Sequence, residues 1–267
     1  MVEDNAGLIP HRGKATFASM SQILRERAIV RLSTESEDED VAAFLQGLVT
    51  NDVTGPLPAY AALLTPQGKT MFDFLVWPAG HGDLLIDCER AAADDLVKRL
   101  SLYRLRRKIA IARDDYLAVF WQAELGDGGA PDPRLADLGQ RWIAVLDGGD
   151  GSEGADVAWR EHRLTLGVAE GREELADVLW LETNAVELNG VSFAKGCYIG
   201  QENTARMNWR QKVNRRLIVV PLDRSDETRR KMAYPEAGSG SGWAIDHLRV
   251  SDIPADLVPR WMKLEAG

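Results

Sequence analysis

Eight consecutive residues, KGCYIGQE at positions 195–202, bring a thiol, an amine, a carboxylate and two glycines together. Because glycine reaches left-handed backbone conformations that other residues resist, Gly196 and Gly200 predict a sharply turned loop that exposes Cys197. A thiol beside Lys195, at a turn rich in backbone N–H groups, is expected to have a pKa below the ordinary value of ~8.5. The segment therefore predicts a reactive cysteine, and the alternative is a small apolar side chain that fills a turn.

The chain contains two cysteines, Cys88 and Cys197, and four histidines. Cys88 ends an apolar segment, LLID, so burial is the expectation for its thiol. Two cysteines are too few for a disulfide framework, and fewer than the roughly four thiolates that usually hold an iron-sulfur cluster. The sequence has no C-x-x-C motif, and its histidines are not paired at ligand spacing. Neither a permanent cluster nor a zinc site is predicted, and no metal is assigned.

A second candidate group is the carboxylate of Asp73, which lies in the apolar segment TMFDFLVW at positions 70–77. This segment and residues 61–65 predict two strands joined by a turn at 66–68, where proline and glycine occur. An inward-facing carboxylate in such a strand lies in a pocket where burial raises its pKa, whereas an outward-facing one meets solvent. The sequence leaves this choice open and makes Asp73 a candidate catalytic group.

Positive charge is concentrated in residues 203–222, which contain no acidic residue although the formal net charge of the chain is −9. The five cations of this segment lie around Trp209 and are Arg206, Arg210, Lys212, Arg215 and Arg216. They suit a polyanion, either a polyglutamate tail or an RNA backbone with a stacked base, and the alternative is a solvated basic strand. The negative net charge argues against a general nucleic-acid coat.

Elements that pack in a folded core must hold these groups in place. The chain has 267 residues, of which 45% are hydrophobic and 27% are charged, and this composition is typical of one or two soluble domains. An acidic run at 35–40 precedes apolar residues at helical spacing, which predicts an amphipathic helix over 41–49. Further predicted helices span 89–102 and 173–181, and further predicted strands span 84–88, 108–112, 116–122, 141–146 and 159–170. No apolar run approaches the ~20 residues of a membrane helix, and the N-terminus lacks the order of a signal peptide. A cytoplasmic protein with no membrane partner is therefore expected.

Several segments resemble the YgfZ family of folate-binding proteins in residues, order and spacing. They are FLQGLVTNDV at 44–53, AALLTPQGKTMFDFLVW at 61–77, YRLRRKIAI at 103–111, and GVSF at 190–193, which leads into the cysteine motif. The resemblance covers roughly residues 28–217. This family supports iron-sulfur enzymes, includes a mitochondrial iron-sulfur assembly relative, and is related to aminomethyltransferase, the T-protein of the glycine cleavage system.

The resemblance implies an α+β protein with the aminomethyltransferase-like fold, in which subdomains surround a central folate-binding channel. It implies an aminomethyltransferase-like region at 1–207 and a small, abbreviated β-barrel-like domain at 208–267. Tetrahydrofolate or a folate derivative is the implied cofactor. The candidate catalytic residues are Cys197, Lys195 and Asp73. The candidate folate-binding residues are Asp73, Gly196, Tyr198, Gly200, Gln201, Glu202 and Arg206.

The chain departs from the transferase pattern at three places. An Asp-Asp pair of the transferases is Phe72-Asp73 in this chain, their pterin-binding Glu is Thr165, and Cys197 is an added thiol. The donor-rich edge of a pterin is satisfied by two hydrogen bonds to a carboxylate, which a hydroxyl cannot provide. Glu182 or Glu202 would therefore have to substitute for the missing pterin-binding carboxylate.

These departures favour a folate-binding accessory protein for iron-sulfur cluster assembly or repair over a tetrahydrofolate-dependent aminomethyl transferase. Cys197 would be its reactive group, and its partners would be assembly proteins or iron-sulfur enzymes such as tRNA-modifying ones. Whether the chain catalyses any chemistry stays open. An RNA-binding module is a third interpretation, and it depends only on the basic segment around Trp209.

Overall fold

The structure, a computed structural model, describes residues 22–146, 154–210, 213–236 and 241–264, without the side chain of Arg210. The helices are α1 (Val41–Gln46), α2 (Ala93–Arg104), α3 (Asp156–Thr165), α4 (Arg172–Leu175) and α5 (Gln201–Arg210). The strands are β1 (Ile23–Leu24), β2 (Arg27–Thr34), β3 (Ala59–Leu64), β4 (Thr70–Pro78), β5 (Leu84–Glu89), β6 (Ile109–Arg113), β7 (Leu117–Gln122), β8 (Ala130–Pro131), β9 (Gln140–Val145), β10 (Arg215–Pro221), β11 (Arg230–Pro235) and β12 (Gly242–Arg249).

The strands form three antiparallel sheets. The largest has five strands in the order β3-β4-β5-β2-β6, the second has four in the order β1-β7-β9-β8, and the third has three in the order β10-β12-β11. This mixture of helices and antiparallel sheets confirms the predicted α+β class. The domain boundary predicted after residue 207 falls inside α5, and a division into two domains stays a prediction.

Side-chain alternation in the five-stranded sheet separates two cores. In β4, Phe74 and Val76 point to the face covered by α1 and α2. Leu75 and Trp77 point to the opposite face, where they pack with residues of the four-stranded sheet and α3. Because successive strand residues face opposite sides, Asp73 belongs to this second face. A polar side chain placed there is enclosed between two sheets.

Local sequence signals explain where α1 begins and which of its residues are buried. Asp40 caps α1, since its carboxylate accepts a hydrogen bond from the backbone N–H of Ala43 at 2.9 Å. The helix buries Val41, Phe44 and Leu45, as the helical spacing predicted.

None of the helices in the described part of the chain has both the length and the apolar character of a membrane span.

Three predicted elements are wrong or shorter than expected. The helix predicted over 41–49 ends at Gln46. The strand predicted at 159–170 is instead the helix α3 and the turn that follows it. Trp159, Arg163 and Leu164 are its buried residues, and their i, i+4, i+5 spacing matches one face of a helix. The helix predicted at 173–181 is reduced to the four residues of α4. One alternative for the basic segment at 203–222 was a solvated strand, but its first half lies in the helix α5.

Six buried charged residues lie between the five-stranded and four-stranded sheets, and we call them the central ion cluster. They are Arg27, Asp87, Asp132, Arg134, Arg141 and Glu170, and none is more than 9% exposed. Arg27 lies in β2 and Asp87 in β5, on the same sheet face as Leu75, and Arg141 comes from β9. The cluster therefore joins the two sheets through charge rather than through apolar contact alone.

The central ion cluster is electrically balanced, with three guanidinium groups and three carboxylates. Asp87 accepts from Arg27 at 2.6 Å and from Arg141 at 2.9 Å. Glu170 accepts from Arg134 at 2.6 Å, from Arg141 at 3.1 Å and from the indole N–H of Trp159 at 2.9 Å. Burial opposes ionisation of Glu170, but Arg134, Arg27 and Arg141 outweigh it and hold its pKa well below the usual range. Each charge thus faces an opposite charge, which is what permits burial, although the Nε atom of Arg141 contacts Asp132 at 3.3 Å without a hydrogen bond.

We expect Glu170→Gln to lower the free energy of unfolding by about 3 kcal/mol or more, because it removes the charge to which Arg134 and Arg141 both donate, and Asp73 forms an ion pair with neither. Urea denaturation measures this quantity directly. The matched control is Glu173→Gln on the exposed side of α4, which should stay within about 0.5 kcal/mol of the unsubstituted protein. Equal stabilities for the two variants would contradict a stabilising role of the cluster.

Candidate functional site

The loop before α5 exposes Cys197 to solvent, as the flanking glycines predicted. The other cysteine, Cys88, is buried in β5, where its thiol lies 3.7 Å from the carbonyl oxygen of Ala28. Burial raises the pKa of Cys88 to about 12, so this thiol stays protonated near neutral pH. Cys197 is therefore the accessible thiol of the chain.

The two glycines of the loop have different roles. Gly200 adopts a φ of +82°, and a Cβ atom there would lie 2.6 Å from the carbonyl oxygen of Thr65 and 3.1 Å from the Cα of Gly68. The chain thus passes directly over the β3–β4 turn at this point, which only glycine permits. Gly196 has no atom within 4 Å of the corresponding position, so its lack of a side chain is not required for packing.

Lys195 anchors the loop to the end of α1. Its ammonium group donates to the carbonyl oxygen of Gln46 at 2.6 Å, to that of Asn51 at 3.1 Å, and to that of Val49. An ammonium group has three N–H donors, so all three are used. Burial lowers the pKa of Lys195 to about 8. The three donors of Lys195 thus hold the loop in place, and none is directed at Cys197, while a catalytic role of Lys195 stays a prediction.

The remaining loop and helix candidates divide into buried and exposed groups. Tyr198 is 7% exposed and packs in the second core, and the Lys195 ammonium lies 5.1 Å from the centre of its ring. Gln201 and Glu202 begin α5, and Glu202 is exposed. Arg206 is also exposed, and it donates to the side chain of Asn203 at 2.7 Å. These side chains face solvent or the core rather than one shared pocket.

The predicted basic cluster is only partly assembled. Arg216 is buried and pairs with Glu187 at 3.0 Å, so its charge is neutralised inside the protein. Trp209 is 74% exposed, with its ring 6.3 Å from that of Phe193 in the cysteine loop. The side chain of Arg210 and all of Lys212 lie outside the described residues. The evidence for a polyanion-binding surface is thus weaker than the sequence suggested.

Asp73 is the carboxylate that borders the central ion cluster without a cation of its own. One oxygen accepts from the backbone N–H of Gly171 at 3.2 Å, and the other lies 3.4 Å from the hydroxyl of Tyr60. Burial and then the charge of Glu170 raise the pKa of Asp73 to about 6, against the opposing effect of Arg27 and Arg134. Of the two alternatives that the sequence left open, the inward-facing one is found, because Asp73 is buried.

Two residues considered for pterin binding, Thr165 and Glu182, have partners of their own in the structure. Thr165 is exposed and its hydroxyl donates to the carbonyl oxygen of His162 in its own helix. Glu182 pairs with His247 at 3.0 Å, which joins it to the C-terminal sheet. Neither residue offers a carboxylate edge beside Asp73. Glu182 is thus already paired, Glu202 is exposed on α5, and folate binding stays a prediction.

Two surface cavities lie elsewhere on the molecule. One of about 670 Å³ is lined by Glu39, Leu105, Arg106 and Arg107, and one of about 390 Å³ lies along β2 and β6. Neither is lined by Asp73 or Cys197. Among the described residues, no group of three or more His, Cys, Asp or Glu side chains is placed to hold a metal ion. The distinguishing chemical feature of this surface is the exposed thiol in an anchored loop.

The fold is similar to that of a solved aminomethyltransferase. The glycine cleavage system aminomethyltransferase T from Bartonella henselae superposes with a TM-score of 0.63 and 10% identity, over 86% of this chain and 79% of that protein. This likeness supports the predicted aminomethyltransferase-like fold. No family model matches the chain.

Similarity in sequence points to one group of curated proteins. The mitochondrial iron-sulfur cluster assembly factor IBA57 of Homo sapiens is 34% identical over 220 residues, which are 68% of this chain and 61% of that protein. The chain belongs to the IBA57/YgfZ-like family. The Mus musculus IBA57 is 33% identical over 74% of this chain and 64% of its own length, and the Neurospora crassa homologue is 29% identical over 85% and 60%. The chain thus spans about three fifths of the length of these IBA57 relatives.

Sequence reasoning missed two features of this structure. The anchoring of Lys195 to α1 was not predicted, because neighbouring residues in a loop point in different directions. The central ion cluster was not predicted either. Part of its signal was present, since Asp87 interrupts the apolar strand β5, and Arg27 and Arg141 lie at or next to the start of β2 and β9, at positions that alternation turns inward.

The two glycines provide a matched test of the loop geometry. Gly200→Ala should lower the free energy of unfolding by about 2 kcal/mol or more, because of both the positive φ and the close backbone contact. Gly196→Ala should change it by less than about 0.5 kcal/mol. Chemical denaturation of both variants measures the difference. Similar losses for both would mean that the loop is not fixed as described.

The position of Asp73 predicts a pH dependence. Because its folded-state pKa is about 6 and an unfolded aspartate titrates near ~3.9, Asp73 adds stability below pH ~4 that is lost as the pH rises through 6. Asp73→Asn removes this loss, so the variant should gain stability over the unsubstituted protein between pH 4 and 7, by up to about 3 kcal/mol. Denaturation at several pH values measures the gain. The exposed control Asp38→Asn should show no such trend, and a flat difference for Asp73→Asn would contradict the burial of this charge.

Proposed function

We propose that this chain acts in iron-sulfur cluster assembly or repair, with the thiolate of Cys197 as its functional group. The observation that carries the proposal is an exposed thiol in a loop fixed at both ends, by Lys195 to α1 and by Gly200 to the β3–β4 turn. The curated relatives named iron-sulfur cluster assembly factors support the same conclusion. Because those relatives are longer, both the activity and the partners of this chain are proposals.

The number of thiols defines what Cys197 can do. Iron-sulfur clusters are usually held by about four cysteine thiolates, and Cys197 is the single exposed cysteine. This chain therefore supplies one ligand, and a partner protein supplies the others. A cluster held in this way is cargo in a complex of two proteins, and it leaves when the partner leaves. The partners are assembly proteins or recipient enzymes, including the iron-sulfur enzymes that modify tRNA.

The surface beside the thiol suits a protein partner. Trp209 on α5 is largely exposed, and its ring forms a T-shaped contact with that of Phe193 in the cysteine loop. Arg206 lies on the same helix and is also exposed. Tryptophan and arginine are the residues that most often contribute strongly to protein interfaces. We assign these two side chains to partner binding rather than to the anionic tail of a folate.

The alternatives suggested by the sequence have less support. Aminomethyl transfer would need a folate beside Asp73, and that carboxylate is enclosed by Tyr60, Gly171 and the central ion cluster. No step of the proposed function passes through folate. RNA binding would need the five-cation cluster, from which Arg216 is withdrawn by Glu187. A cytoplasmic location stays a prediction, while the named relatives are mitochondrial.

The proposal predicts different effects for the two cysteines. In cells that lack their own copy, Cys197→Ser should abolish the activity of [4Fe–4S] dehydratases measured in anaerobic extracts, because serine replaces the one accessible thiolate. The variant should keep its melting temperature, since the side chain is exposed.

Cys88→Ala is the matched control. It should lower the free energy of unfolding by about 1 kcal/mol through loss of a buried side chain, and it should keep enzyme activity near that of the unsubstituted protein. Full activity with Cys197→Ser would show that the loop acts only as a structural element, and the thiol-based function would have to be abandoned.

A further inference from the structure

The guanidinium group of Arg134 lies in a site of unusual chemistry at the centre of the protein. Its Nε and Nη2 atoms donate to the two oxygens of Asp132 at 2.9 and 2.7 Å, and its Nη1 atom donates to Glu170 at 2.6 Å. The side chain is 1% exposed. The pairing with Asp132 is bidentate, with two parallel hydrogen bonds from one planar group to one carboxylate.

Aromatic rings complete this site. The central carbon of the Arg134 guanidinium lies 5.2 Å from the ring centre of Tyr60 and 5.5 Å from that of Trp159. Both distances are within the range of a cation–π contact, which is about 6 Å. The indole N–H of Trp159 donates to Glu170, so the ring is held in place by the same carboxylate that Arg134 binds. The surroundings thus select a planar group with several N–H donors.

A pterin carries the same donor pattern as a guanidinium. Its amino group and the adjacent ring N–H flank one carbon, which gives an N–C–N edge that a carboxylate satisfies with two hydrogen bonds. Its flat rings also pack on aromatic side chains. The carboxylate of Asp132 and the rings of Tyr60 and Trp159 therefore offer Arg134 what a pterin would require. Asp73, the carboxylate bordering the cluster, lies 3.4 Å from the Tyr60 hydroxyl.

We propose that Arg134 is a built-in occupant of a guanidine-type site, whose carboxylates and aromatic rings have the chemistry that would also suit the N–C–N edge of a pterin. The site bounded by Asp132, Glu170, Tyr60 and Trp159 is complete without any external ligand. Removal of the Arg134 side chain opens it to small planar molecules with an N–C–N donor edge. The inference concerns the central cluster alone and does not depend on the function proposed for Cys197.

The variant that tests this inference is Arg134→Ala. Arg141 remains within 3.3 Å of Asp132 and 3.1 Å of Glu170, so neither carboxylate loses its last cation. The probes are ethylguanidinium chloride, which restores the fork and the charge, and ethylammonium chloride, which restores the charge alone. Thermal denaturation at increasing probe concentration gives a dissociation constant for each. We expect ethylguanidinium to bind the variant about tenfold more tightly than ethylammonium, or better, and neither to bind specifically to the unsubstituted protein.

A second arm distinguishes the donor edge of a pterin from the simple cation. Calorimetry with 2-amino-4-hydroxypyrimidine, a small planar ring with the N–C–N donor edge of a pterin, should show no binding to the unsubstituted protein and measurable binding to Arg134→Ala. If the variant does not fold alone, its refolding yield from urea should rise with ethylguanidinium and not with ethylammonium. Equal effects of the two cations would overturn the inference. So would binding of the pyrimidine to the unsubstituted protein with a dissociation constant that Arg134→Ala leaves unchanged.

Discussion

The balance of charge in the central ion cluster is the constraint on which the rest of the structure depends. Three arginines and three carboxylates lie between two sheets, where an unpaired charge would cost several kcal/mol. Each charged group is therefore directed at partners from other elements, and this fixes how the sheets face one another. The same balance leaves Asp73 as an extra carboxylate with a raised pKa. The side chains of the cluster also fill the centre of the protein, whose fold resembles that of an aminomethyltransferase.

Because side chains fill the centre of the protein, the proposed functional group, Cys197, lies at the surface. The accessible thiol lies in a loop whose position is set by two independent contacts, the Lys195 ammonium on the end of α1 and the close approach of Gly200 to the β3–β4 turn. Both supporting elements belong to or pack on the five-stranded sheet. The loop is thus held by elements of the buried core around the five-stranded sheet, while Cys197 itself faces solvent. This arrangement suits a group that must meet another protein in a defined orientation.

Features with local causes were predictable from the sequence, and features with distant causes were not. The cap of α1 by Asp40 and the exposure of Cys197 between glycines follow from a few neighbouring residues. The strand predicted over α3 was wrong because one of its three buried residues, Arg163, is charged and pairs with Glu174, so the apolar residues alone do not show the helical spacing. The central ion cluster joins residues as far apart as 27 and 170, and no local pattern pairs them. Proximity in sequence was also misleading, since Lys195 turns away from its neighbour Cys197.

The central claim is that Cys197 is an iron-sulfur ligand in a complex with a partner, and its reactivity inside living cells tests this most directly. Cells growing with ample iron and cells treated with an iron chelator would be pulsed with an alkylating reagent. Mass spectrometry would then quantify the modified fraction of each cysteine. The account predicts that Cys197 is protected when iron is ample and becomes reactive when iron is withdrawn, while Cys88 stays unmodified in both conditions. Equal modification of Cys197 with and without iron would contradict it.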